Sequence, residues 1–222
     1  MKSKKFLRTG LAVALLASSL SLPVSAAATA TDEASLQSAG IIDLNNVSEN
    51  VVVSEVMTFD EMSSYMSKQE NISLDEAKAI LVGDYNVNSL SSSEVSPYAA
   101  TYRTFASMMN VDSSYQPTLQ FYCETSEWGN YMGIVKVLNT TMNRSSFGKS
   151  KQFGGTIFVH LESANKIHWV VGGDWYNNGT TTINGGVTIN LGQAATINAG
   201  VSASSNHYKY YYGTGDVLLY PE

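Results

Sequence analysis

The chain has 222 residues, with 19 acidic and 13 basic side chains, a formal net charge of −6 and one cysteine, Cys123. A single cysteine excludes an intramolecular disulfide, so a packed core must hold the fold. An acidic chain with no basic run after its first residues argues against nucleic acid as a partner.

Lys2, Lys4, Lys5 and Arg8 form a basic start, and residues 11–22 are apolar or small and uncharged. Pro23 follows, and Val24-Ser25-Ala26 offers the small residues a signal peptidase reads. Residues 1–26 therefore read as a secretory signal peptide. The apolar run falls short of the ~20 residues a spanning helix needs. The expected location is extracellular or cell-wall associated, and a lone cysteine suits export from a single-membrane bacterium.

Removing residues 1–26 takes away four bases and no acid, which leaves a net charge of −10. All of that excess sits in residues 27–100, where 12 acids meet only Lys68 and Lys78. Residues 101–222 balance at seven acids and seven bases. The asymmetry divides the chain into an acidic leader (27–96) and a domain (97–222). Residues 27–50 are polar and without period, so they read as disordered. Thr58-Phe59-Asp60-Glu61 has capping-box spacing, and Ser73-Leu74-Asp75-Glu76 repeats it before a helix that should end near Gly83. Helices this short need a surface to dock on. Ser89 to Ser96, closed by Pro97, reads as a linker.

From Thr101 the pattern alternates with period two, which predicts strands at 101–111, 117–124, 131–140, 153–162, 166–176, 180–191, 195–205, 207–212 and 216–220. The expected fold is mainly β, an antiparallel sandwich or flattened barrel behind a short helical leader. Three hairpins can be registered from the pattern; in the first, Leu161 opposite Ile167 and Val159 opposite Trp169 put the apolar residues on one side. That register sets Glu162 near Lys166, with Asn165 left-handed in a three-residue loop Ser163-Ala164-Asn165. Asn178-Gly179 predicts a second turn, with a bulge at Gly172-Gly173 or Gly185-Gly186 to restore register. A third hairpin should turn at Gly192-Gln193-Ala194, pairing Ile189 with Ile197, Val187 with Ala199 and Ile183 with Ala203.

Four sets of residues carry possible chemistry. Tyr208, Tyr210 and Tyr211, with Trp175 and Tyr176, are aromatic rings with polar edges, suited to stacking on sugars or straddling a membrane interface. Arg144, Lys149 and Lys151 fall where no acid occurs between Glu127 and Glu162, an anion-binding pattern and a docking target for the acidic leader. His160 faces His168 in the registered hairpin, a weak metal candidate without a third ligand. Residues 175–208 contain no Asp, Glu, Lys or Arg, and the 180–204 hairpin has the alternation of a membrane-inserting ribbon. No nucleophile motif surrounds Cys123, so a buried thiol is expected there.

Tyr115-Gln-Pro-Thr-Leu-Gln-Phe-Tyr122, the 145–155 segment, Tyr176-Asn-Asn-Gly-Thr180 and Ser205-Asn-His-Tyr208 resemble a group of small secreted proteins of Gram-positive bacteria. The resemblance spans residues 101–222. It implies a secreted β-domain and brings no activity, since the group has no assigned function.

These readings converge on a secreted, non-enzymatic β-sandwich. It would need no cofactor and would bind a cell-envelope surface of glycan, anionic wall polymer or lipid. The alternative is a membrane-active toxin, pore-forming or bacteriocin-like, held inactive by its leader.

Overall fold

The computed structural model describes residues 51–83, 100–128, 131–184 and 186–218. The expected signal peptide, the 27–50 segment and the Ser89–Ser96 linker lie outside the described residues.

The first described strand, β1 (Val51–Val53), is followed by helices α1 (Phe59–Glu70) and α2 (Leu74–Val82). Both helices begin where their caps predict. The Thr58 hydroxyl accepts from Glu61 N while Glu61 bonds back to Thr58 N at 2.8 Å, and Ser73 accepts from Glu76 N at 3.1 Å. Gly83 closes α2 with a positive φ.

Strands β2 (Thr101–Met108), β3 (Thr118–Trp128) and β4 (Tyr131–Asn143) form an antiparallel meander. The two-residue strands β5 (Ser145–Ser146) and β6 (Lys149–Ser150) make a small hairpin whose turn residues, Phe147 and Gly148, both have positive φ. Then come β7 (Gln152–Ser163), β8 (Lys166–Asn184), β9 (Ile189–Asn190) and β10 (Ala194–Leu218). One sheet runs β1-β2-β3-β4-β9. The other is built from β7, β8 and β10.

The two sheets face each other across one core. Phe105, Leu119, Phe121, Cys123 and Val137 come from the first sheet, and Ile157, Val159, Trp169, Val171 and Ile197 from the second. The antiparallel sandwich expected from the alternating pattern is therefore the observed fold. A third layer covers the first sheet. Phe59, Met62 and Met66 of α1 and Ala77 and Leu81 of α2 pack on Tyr102, Tyr122 and Leu138, which alternate with the core-facing residues of their strands.

The leader thus contributes an edge strand and a covering layer. Its helices dock on an apolar sheet face, whereas charge had pointed them toward the Arg144–Lys151 loop. Burial outweighs exposed charge here, since screened surface pairs contribute little beside several buried side chains. The Arg103 guanidinium reinforces this joint, donating to Ser54 O at 2.7 Å and twice to Glu127, at 2.8 and 3.0 Å.

The β7–β8 hairpin has the expected register, with Val159 opposite Trp169, His160 opposite His168 and Leu161 opposite Ile167. Lys166 reaches Glu162 at 2.9 Å. The loop differs: Ser163 already pairs with Lys166, the irregularity falls at Glu162, and Asn165 is not among the positive-φ residues.

Asn178-Gly179 forms no turn. Strand β8 runs straight through it, with Asn178 opposite Ser205 and Thr180 opposite Ser202. Gly179 (φ 123) is needed because a Cβ there would lie 2.9 Å from Ser202 O. The bulge anticipated at Gly172-Gly173 is absent too, since both pair in register with Thr156 and Gly155; Gly185 lies outside the described residues. The bare backbones of Gly155 and Gly173 leave space for the Phe153 ring, which an added Cβ on either would approach within 3 Å.

The third hairpin is likewise replaced. Ile189 leaves the second sheet to pair with Val137 of the first, and Ala199 pairs with Ile183. The segments 195–205, 207–212 and 216–220 become one bent strand. Its residues 194–199 pair with β7, while residues 198–218 pair with β8, so β10 crosses from one edge of the β7–β8 hairpin to the other. Register shifts at Ser202/Ser205 and His207/Lys209, with left-handed Ala203 and Asn206, make the bends. The sheet is folded over at a corner and is not rolled into a barrel.

Candidate functional site

The outward face of the second sheet carries two strongly exposed aromatic side chains, Tyr210 and Tyr212; a third, Phe147, stands alone at the β5–β6 turn. Cross-strand pairing places Asn198, Thr156, Gly172 and Tyr212 in one row, and Gly154, Asp174 and Tyr210 in the next. Tyr210 is 59% and Tyr212 67% exposed. Gly172 supplies no side chain beside them: a Cβ there would meet Tyr212 Cδ2 at 3.5 Å and the Tyr210 hydroxyl at 4.0 Å. Two outward residues on one strand sit ~6.8 Å apart. The result is a pair of phenol rings over a flat glycine floor, flanked by Thr156 and Asn198.

The other aromatic candidates are dispersed. Trp175 is wholly buried, with Tyr115 edge-on at 5.1 Å and Phe153 at 5.0 Å. Tyr208 is displaced from the Tyr210–Tyr212 row by the register shift beside it and packs against the core. Its hydroxyl bonds Asp112, its ring carries the Lys151 ammonium at 3.6 Å, and Tyr115 meets it edge-on at 6.0 Å. Tyr211 faces inward and is half-buried, which pushes its phenol pKa up. Tyr176 lies edge-on to His207 at 5.7 Å. Tyr212, which strand alternation places on one face with Tyr210 but which was not among the five aromatic candidates, is the most exposed of these tyrosines.

The basic residues are also separated. Lys151 is buried, bonds Asn177 Oδ1 at 2.6 Å, and has its pKa lowered by burial and by Lys149. Arg144 is partly buried and donates to Gln152 Oε1 and to Lys151 O. Lys149 is exposed and donates to Ser114 O at 3.3 Å. Two of the three cations are thus used inside the protein, which leaves no exposed cluster for an anion.

His160 and His168 stand opposite each other at the end of the same outward face. His168 Nδ1 lies 2.8 Å from Asp216, Lys166 bridges Asp216 at 3.3 Å and Glu162 at 2.9 Å, and Glu162 is 3.8 Å from His160. Burial raises the Asp216 pKa, but hydrogen bonds from His168 and Lys166 outweigh it and hold the carboxyl below its usual value. The row is an ionic ladder. Among the described residues no group of three or more His, Cys, Asp or Glu could hold a metal ion.

A cleft of about 460 Å³ opens at the sandwich edge, where Ser107, Met108 and Asn110 meet Trp169, Tyr211 and Asp216. Cys123 is wholly buried, and burial raises its pKa well above that of a free thiol, as expected of an inert core cysteine.

Fold and face together define a helix-covered antiparallel β-sandwich that presents paired tyrosines on the sheet opposite the helices. Comparison with known protein families, with characterised proteins and with solved structures finds no match to this chain.

Proposed function

We propose that this is a secreted, non-enzymatic protein that binds uncharged glycan of the cell envelope through the outward face of β8 and β10. The observation that carries this reading is the pair Tyr210 and Tyr212, both more exposed than buried, beside Gly172. A phenol face is electron-rich and packs against the C–H face of a sugar ring, while the hydroxyl stays solvated. A tyrosine has only two side-chain torsions to fix, so ordering these rings on a ligand costs little conformational entropy. An uncharged ligand is preferred because Arg144 and Lys151 are engaged internally, and Asp174, the charge in the Tyr210 row, is acidic.

The test is sedimentation with purified cell walls and with neutral insoluble polysaccharide. Tyr210→Ala and Tyr212→Ala should each weaken binding about three- to tenfold. Tyr176→Ala should do little. If both exposed tyrosines can be removed without loss, this reading fails.

A membrane-active role is the second reading, supported by the arm of β8 and β10 around residues 177–184 and 198–206. It contains no Asp, Glu, Lys or Arg, and much of it faces solvent. Val201 and Ile183 are its larger apolar residues, a small apolar face for a ribbon that must meet lipid. Dye release from anionic vesicles by the purified chain would favour this reading over glycan binding.

A further inference from the structure

We propose that two copies of this chain associate by antiparallel pairing of their β10 edges, through residues 207–215. Three observations support it.

The first is the edge itself. Residues 207–218 of β10 pair with β8 on one side, and among the described residues no strand pairs with them on the other, since β7 pairs only with residues 194–199. The first sheet ends in strands of three and two residues, β1 and β9, the short edges that natural sheets use to avoid association. The second sheet ends in a long one.

The second is the lack of protection. Edge strands are usually guarded by proline or by outward charge. This stretch contains no proline, and its two formal charges, both partly solvent-exposed, are each engaged by a partner in the same chain. Lys209 donates to Val111 O at 2.7 Å, and Asp216 is held by His168 and Lys166. From Tyr210 to Gly215 there is no charge.

The third is self-complementarity. A two-fold axis through Tyr211 sets Tyr210 of each copy opposite Tyr212 of the other, both on the outward face. Cross-strand aromatic pairs are among the favourable ones in antiparallel sheets. The same register sets Lys209 opposite Gly213, His207 opposite Gly215 and Asn206 opposite Asp216, so no like charges meet. The symmetric contact is isologous and closes at two copies. It gathers four tyrosines in one band, which makes a bivalent glycan platform if the glycan reading holds. The pairing does not depend on that reading.

The experiment is sedimentation velocity on the purified chain without carbohydrate, from about 1 to 100 μM. The wild type should sediment at twice the chain mass. Tyr210→Lys/Tyr212→Lys and Tyr210→Glu/Tyr212→Glu should each sediment as monomers, since each places like charges directly opposite. An equimolar mixture should regain the doubled mass as a heterodimer. All these positions are exposed, and unchanged circular dichroism verifies folding. A monomeric wild type at 100 μM, doubled mass in either charge variant alone, or no recovery on mixing would each overturn the proposal. Glycan affinity measured per chain is a separate readout, so either idea can fail without the other.

Discussion

The Trp169 indole Nε1 donates to the Ser107 hydroxyl at 3.0 Å, a buried bond that ties the two sheets across the core. Ser107→Ala leaves that indole donor unpaired and should cost about 1–3 kcal/mol, the desolvation penalty of a buried group without a partner. In a Trp169→Phe background the same change should cost clearly less. Urea unfolding of the four proteins gives the coupling, and equal costs in both backgrounds would show that the bond contributes nothing.

Acid should loosen the contact between β10 and the loop before β3. The hydrogen bond from Tyr208 holds the Asp112 carboxyl at about 2, below its ordinary 3.8. A depressed carboxyl stabilises the fold fully above its unfolded value, and the contribution is lost as pH falls through the folded one. Stability should therefore drop between about pH 4 and pH 2. Asp112→Asn should flatten that segment of the stability curve, measured by denaturant unfolding at stepped pH.

The helical layer should be indispensable to a well-behaved sandwich. A chain beginning at residue 100 would expose Tyr102, Tyr122 and Leu138 and lose β1 from the sheet edge. It should bind a hydrophobic dye and aggregate more readily than the full chain. Met62→Ala, at a side chain with no exposure, should cost about 2–5 kcal/mol. A stable, dye-silent 100–222 fragment would show that the layer is dispensable.

Glycine at 155 should be intolerant of any side chain. An added Cβ would lie 2.3 Å from Gly172 O and 2.9 Å from the Phe153 ring. Gly155→Ala should destabilise by about 1–3 kcal/mol through strand displacement. Gly200→Ala, at a position with open space, serves as the control in the same thermal melts.

The Cys123 thiol should react only when the chain opens. It has no exposure, and its pKa is raised by burial. A thiol reagent should label the unfolded protein stoichiometrically and the native protein at the rate of unfolding. Rapid native labelling at neutral pH would contradict the packing.

By itself, the sequence determined the elements whose signals are local. Thr58 with Glu61 and Ser73 with Glu76 mark both helix starts, because a cap bonds within one turn. The β7–β8 register, down to His160 opposite His168, follows from alternation across a short loop, where a one-residue slip would turn every apolar residue outward. Only the tertiary structure decided where distant segments went. Asn178-Gly179 has the composition of a turn, yet β10 approaches so closely that glycine is required in a continuing strand. Ile189 would suit a hairpin beside Ile197, but pairing with Val137 buries it in the joint core. Lys151 belongs to a basic run in one dimension and lies over the Tyr208 ring in three. The helices follow apolar area on Tyr102, Tyr122 and Leu138 and not the charge balance. In each case a short-range preference, worth about a kilocalorie, yields to burial summed over residues that the chain brings together from far apart.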